Sequence, residues 1–119
     1  MAYVDGFVVP VPKKKVAAYR KLAKIACKVW MDHGALDYKE CEADDAPMGK
    51  LTSFPRSVQM KKNETVFFSY IVYKSRKHRD QVNAKVMKDK RLTGMSMKDV
   101  PFDGKRMIFG GFKVVVASK

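Results

Sequence analysis

The chain has 119 residues, with 25 Lys or Arg against 12 Asp or Glu for a formal charge of +13, and it is 46% hydrophobic. That length fits one domain spanning residues 1–119, and the hydrophobic content excludes a globally disordered chain in spite of the charge. No apolar run approaches the ~20 residues of a membrane helix and no signal-peptide pattern is read, so a cytoplasmic location is expected. Cys27 and Cys41 form no CxxC pair, which argues against a disulfide framework or a zinc site.

Residues 3–11 (YVDGFVVPV) are β-branched and aromatic and read as a strand, closed by Pro10 and Pro12 because proline donates no ladder bond. Over residues 13–33 the apolar positions Val16, Tyr19, Ala23, Ala26, Cys27 and Trp30 recur at three- and four-residue spacing, the stripe of an amphipathic helix. Lys13, Arg20, Lys21, Lys24 and Lys28 fall largely opposite it, and Gly34 is its stop. Residues 35–41 alternate Leu36, Tyr38 and Glu40 against Asp37 and Lys39, a strand with one wet face. Residues 44–63, with Pro47, Gly49 and Pro55, predict a loop with a short strand near Val58.

Residues 65–73 (TVFFSYIVY) carry the strongest strand signal. Ser75 is the expected N-cap of a second helix to about residue 89, with Val82, Val86 and Met87 inward. Residues 90–105 read as loop with a turn at Asp103-Gly104. Residues 106–116 read as the last strand, where Gly110-Gly111 marks a bulge or a close backbone approach. The order β-α-β, loop, β-α-β predicts an α+β, ferredoxin-like βαββαβ sandwich. Its four-stranded antiparallel sheet has both helices on one face, with the first and third strands central and the fourth beside the first.

Helices on one face leave the other in need of cover, and a water-facing side should alternate with polar residues. The third strand instead sends Val66, Phe68, Tyr70 and Val72 one way and Phe67, Ile71 and Tyr73 the other. The last strand likewise divides Met107, Phe109 and Val115 from Ile108, Phe112, Val114 and Val116. Two such sheets packed across a two-fold axis would bury the surplus, so a homodimer is expected; the competing expectation is that residues 44–63 fold back over the second face.

The opening YVDGFVVPVP, the middle HGALDYKEC and DDAPMGKLTSF, and the closing PFDGKRMIFGGF resemble the YbaA-like family of small bacterial proteins over essentially the whole chain. The resemblance implies the dimeric alpha-beta barrel class and carries no assigned activity. This chain departs from the family pattern at Glu42, where an aromatic residue is usual, at Val72, where an acidic one is common, and at Lys113, where Glu is frequent.

The candidate ligand-binding residues are Asp5, Glu40, Tyr70, Asp103 and Arg106. Asp5 interrupts a central apolar strand, so its carboxylate must be paired, hydrogen-bonded or protonated. A structural pair with Lys113, placed roughly opposite on the last strand, competes with a ligand-facing role. Glu40, Asp103 and Arg106, with Cys41, Asp44, Asp45 and His33, frame a polar mouth of the sheet or serve as ordinary turn chemistry. In the functional reading Asp5 or Glu40 is a base or polar anchor, Arg106 holds an anion and Tyr70 gives shape. His33 and Cys41 stand roughly 26 Å apart along a strand at ~3.3 Å per residue, so they make no nucleophilic pair. Cys27 reads as a core residue and His78 as a solvated one. No metal-ligand spacing, phosphate loop or flavin or nicotinamide fingerprint is present, and no cofactor is expected.

The charge opens a second class of function. Lys13, Lys14, Lys24, Lys28, Arg76, Lys77 and Arg79 lie on the two helices and would face a polyanion, with affinity falling steeply with salt. No K/R-G-F/Y-G/A-F motif stands on a central strand, however, and dispersed lysine confers no sequence readout. The sequence therefore supports a homodimer binding a small molecule at or near the sheet–sheet interface, with a cofactor-independent enzyme as one form of it. The alternative is a basic RNA- or DNA-binding dimer.

Overall fold

The computed structural model describes residues 1–95 and 100–119. The elements follow in the order β1 (Tyr3–Pro12), a 3-10 turn (Lys13–Lys15), α1 (Val16–Asp32), β2 (Asp37–Glu42), α2 (Phe54–Ser57), β3 (Glu64–Tyr73), α3 (Arg76–Val86), α4 (Lys90–Thr93) and β4 (Ile108–Lys113). The four strands form one antiparallel sheet in the order β2-β3-β1-β4. The expected ferredoxin-like arrangement is therefore present, with α1 and α3 on one face.

Four local readings differ. β1 continues through Pro10 and Pro12, because β4 reaches only to Val8 and the end of β1 has a single neighbour, where proline is tolerated. α2 replaces the strand expected near Val58, its first turn capped by the Ser53 hydroxyl accepting from the Arg56 amide. α4 interrupts the loop expected over residues 90–105, of which 96–99 lie outside the described residues. α3 ends at Val86, which leaves Met87 exposed rather than inward. Its start is as expected: the Ser75 hydroxyl accepts from the His78 amide at 3.0 Å. Gly34 takes φ +109° just after α1, a conformation that side chains rarely adopt.

Alternation sorts the strands into two faces. Toward the helices point Tyr3, Asp5, Phe7, Val9 and Val11 of β1 and Phe67, Ser69, Ile71 and Tyr73 of β3. This layer divides into two apolar clusters. One gathers Tyr3, Val29, Ile71, Tyr73, Val82 and Val86; the other gathers Val9, Val11, Tyr19, Ala23 and Phe67, and Phe7 packs against both. On the opposite, open face, Val58 from the loop after α2 seats on Val8 and Val66, and Phe54 meets Phe68 edge-on at 5.9 Å. The 44–63 segment thus covers one end of this face. Phe68, Ile108 and Phe112 beyond it remain 44%, 44% and 64% exposed.

Beyond the β1–β4 ladder, one side chain just before β4 and one glycine within it fix its position. Arg106 donates from Nε to Asp103 (2.9 Å), from Nη1 to the Gln59 carbonyl (3.0 Å) and Glu64 Oε1 (2.8 Å), and from Nη2 to Glu64 Oε2 (2.6 Å). The guanidinium beside Glu64 holds that carboxyl below its ordinary value. Farther along, Gly111 lies opposite Asp5, and a Cβ there would come within 2.3 Å of the Tyr3 hydroxyl and 2.6 Å of Arg79 Nη2. The glycine pair is thus a close approach, and the close member is Gly111.

Arg106→Met is expected to leave Glu64 unpaired. A deeply buried broken pair costs ~3–5 kcal/mol, and the position of this one at the sheet rim, near water, lowers that to about 2 kcal/mol in urea unfolding. Gly111→Ala is expected to cost about 1–3 kcal/mol by overpacking Tyr3, whereas Gly6→Ala, where an added Cβ meets nothing within 4 Å, is expected to be near neutral by the same measurement.

Candidate functional site

Between the two helix-side clusters the core does not close. A cavity of about 240 Å³ remains, walled by Phe7 and Ile71 of the sheet, Leu22, Ala26 and Trp30 of α1, Tyr38 of β2, and Phe102 and Met107 of the segment leading to β4. Glu40 is the one charged residue in its wall among the described residues. An adjoining groove of about 410 Å³ shares Ala23, Tyr38 and Glu40 with it and adds Arg20, Lys24, Lys39 and Glu42, so Glu40 stands where the two meet.

Register explains the placement of Glu40. Tyr38, Glu40 and Glu42 share a parity that faces α1, and Glu40 pairs with Ser69 on β3. One carboxylate oxygen accepts from the Tyr19 hydroxyl at 2.9 Å and the other from the Tyr38 hydroxyl at 2.8 Å. The rings are themselves fixed: Tyr19 packs on Phe67 at 4.4 Å and edge-on to Phe102 at 5.9 Å, and Tyr38 packs on Trp30 at 6.1 Å. Burial pushes the Glu40 carboxyl above its ordinary value, against the pull of the two hydroxyls. Burial and the adjacent carboxylate push both phenols up as well. Of the cations lining the groove, Arg20 pairs with Glu42 and Lys39 with Asp37, and Lys24 stays exposed on α1.

The other sequence candidates lie apart. Asp5 is buried, and its partner is Arg79 of α3, with Nε 3.4 Å from Oδ1. Lys113 faces Tyr3 instead, one pleat away from the pairing expected for it. The Tyr73 and Asn83 side chains also reach the Asp5 carboxyl, which burial nevertheless pushes up. Trp30 Nε1 donates to both Tyr73 Oη and Asn83 Oδ1 at 3.1 Å. Arg79 donates from Nη2 to the Tyr3 hydroxyl at 3.2 Å and lies 5.1 Å from that ring's centre. It therefore turns inward, away from the basic face to which the sequence assigned it.

Tyr70 is on the open face, opposite Gly6 and Lys39. Asp103 and Arg106 hold each other and Glu64. His33 meets Asp89 at 2.8 Å, and Cys41 points to the open face, so the expected polar mouth is not assembled. His78 is half-buried rather than fully solvated: its Nδ1 accepts from the Lys74 amide, and its ring packs edge-on to Tyr73. Among the described residues no three His, Cys, Asp or Glu side chains gather to hold a metal ion.

The sequence places Glu40 at a polar mouth of the sheet, on the same side of its strand as Tyr38, while Tyr19 reads only as core and Tyr38 only as strand. Their shared signal is parity: Tyr38 stands two residues before Glu40, and Tyr19 lies on the buried stripe of α1.

Because folding raises the Glu40 carboxyl above its ordinary 4.5, the folded protein holds that proton more tightly than the unfolded chain. Its stabilisation is complete below the ordinary value and fades as pH rises through the raised one. Glu40→Gln stays neutral throughout, so its melting temperature relative to the native protein is expected to be higher at neutral pH than in acid. Melting curves across that range check it, and a flat difference contradicts a raised carboxyl.

Residues 2–104 match the family described as "Protein of unknown function (DUF1428)". The "Uncharacterized protein YbaA" of Escherichia coli (strain K12) is 47% identical over 116 residues, which cover 98% of this chain and 98% of the relative, and that of Shigella flexneri matches equally. Both agree with the resemblance carried by the motifs. Among solved structures, a "dimeric ferredoxin-like protein" from an uncultured marine organism is similar, with a TM-score of 0.54 and 12% identity, covering 100% of this chain and 99% of that one. At that identity the likeness is one of fold, the same ferredoxin-like fold traced here. Family match and full-length relatives agree, and the chain belongs to the DUF1428 family of proteins of unknown function.

Proposed function

We propose that the protein is a homodimer joined through its open sheet face, and that each protomer binds a small molecule in the helix-side cavity beside Glu40. The cavity carries the reading. An apolar core that stops short of closing forgoes packing energy, about 24 cal/mol per Å³ in closed cavities. Here the space also holds an ionisable group positioned by two hydroxyls, the combination of apolar walls and a few convergent polar groups that marks ligand sites. This moves the ligand from the sheet–sheet interface, where the sequence put it, to the other face. Asp5, Tyr70, Asp103 and Arg106 serve the frame and the interface in this reading, and Glu40 serves the ligand.

The dimer is supported by the exposed Ile108 and Phe112, which the 44–63 segment leaves uncovered, by Phe68, which Phe54 covers only in part, and by the dimeric description of the similar solved structure. No helix among the described residues is long and apolar enough to cross a membrane.

A second reading, a basic RNA- or DNA-binding dimer, draws on the exposed Lys13, Lys14, Lys24 and Lys77. It also draws on Lys28 and Arg76, which are held only loosely by Asp32 (3.5 Å) and Asp80 (3.8 Å). Its contacts would be to phosphates and lost with rising salt, a non-specific polyanion affinity.

Light scattering at low micromolar concentration is expected to return twice the chain mass, and Phe68→Glu one chain mass; a single-chain mass for the unaltered protein removes the dimer. Ligand-observed NMR with a set of small aromatic fragments is expected to find binders that Ala26→Leu, which fills the cavity from α1, releases. Absence of binders, or binders indifferent to Ala26→Leu, removes the cavity reading.

A further inference from the structure

Among the described residues Asp5 and Glu64 are buried carboxylates and Glu40 is a half-buried one on the helix side, and they are treated differently. Glu64 receives Arg106 and Asp5 receives Arg79. Glu40 receives only the Tyr19 and Tyr38 hydroxyls, although the chain has 25 Lys and Arg. An ionised carboxylate withdrawn from water is costly without a cation. Of the three cations lining the adjoining groove, Arg20 is bound to Glu42, Lys39 has the opposite parity and is bound to Asp37, and Lys24 is exposed on α1 without an ion pair to Glu40.

The cavity itself is lined by five aromatic side chains, Phe7, Tyr19, Trp30, Tyr38 and Phe102, and by no Lys or Arg among the described residues. Aromatic faces attract cations through their quadrupoles, by ~0.5–1 kcal/mol when exposed and about 2 kcal/mol or more when desolvated. An anion would find only Glu40 facing it. At about 240 Å³ the cavity falls below the ~300–1,000 Å³ of drug-sized pockets, so its occupant is compact.

Resting on the ligand reading above, we propose that the cavity takes a small organic cation, a protonated amine or quaternary ammonium group on a compact apolar body, with its charge against Glu40 and its body among the aromatic walls. The ligand supplies the counterion that the chain withholds from this one carboxylate. The tyrosine hydroxyls keep both oxygens in place for it while the cavity is empty.

The test compares three soluble probes of one shape on the full chain near neutral pH, by isothermal titration: 2-phenylethylamine (cation), 2-phenylethanol (neutral) and phenylacetate (anion). The amine is expected to bind at least about tenfold more tightly than the alcohol, with phenylacetate weakest; tenfold corresponds to about 1.4 kcal/mol. Glu40→Gln, checked for folding by circular dichroism, is expected to bring amine and alcohol to within about twofold of each other. Alcohol or phenylacetate binding as tightly as the amine overturns the cation class while leaving the cavity a ligand site. An amine preference that survives Glu40→Gln overturns the role of Glu40, and amine binding unaffected by Ala26→Leu removes the cavity as its site. Should none of the three bind while other fragments do, the cation class falls; should no fragment bind at all, the cavity reading falls with it.

Discussion

β1 and β3 carry apolar side chains on both of their faces, and the chain supplies helices for one. Every later feature follows from that imbalance. On the helix side, α1 and α3 must together cover a four-stranded sheet, and they do so as two clusters joined through Phe7 rather than as one continuous layer. On the other side, Val58 and Phe54 from the long second loop reach only the end of the face near Val8 and Val66. The first shortfall leaves a cavity; the second leaves a surface.

Charge placement follows the same geometry. Once the strand alternation is set, Asp5 and Glu40 must point into the helix-side layer, since a one-residue shift would turn every apolar neighbour out with them. Asp5 sits where α3 passes and meets Arg79, Tyr73 and Asn83. Glu40 sits under α1, whose inward stripe offers Tyr19 and no cation. The basic residues of α1 lie on its outer side, where Arg20 reaches down only as far as Glu42 at the sheet edge. The strongly positive surface and the unpaired interior carboxylate are thus two consequences of one amphipathic helix.

Where the structure departs from the sequence pattern, the departures are of register and of length. Lys113 was placed against Asp5, but β4 pairs so that Gly111 takes that position and Lys113 meets Tyr3. Arg79 was read with its basic neighbours as exposed, yet it stands three and seven residues before Val82 and Val86, on the buried stripe of α3. Spacing was the signal, and composition hid it. α2 and α4 are four residues each, too short for any periodicity to show.

What the sequence by itself determined is the order of the four strands and two long helices and which residues share a face, because these depend on repeats of two and about 3.6 residues within short stretches. That Glu40 shares a side of its strand with Tyr38 belongs to that class. What only the tertiary structure decided is which group meets which across the chain: Tyr19 with Glu40 over 21 residues, Arg106 with Glu64 over 42, Arg79 with Tyr3 over 76. Those meetings rest on how far α1 and α3 are shifted along the sheet. A shift of one helical turn would preserve every local pattern while changing every partner, and the unfilled space beside Glu40 is a product of that shift.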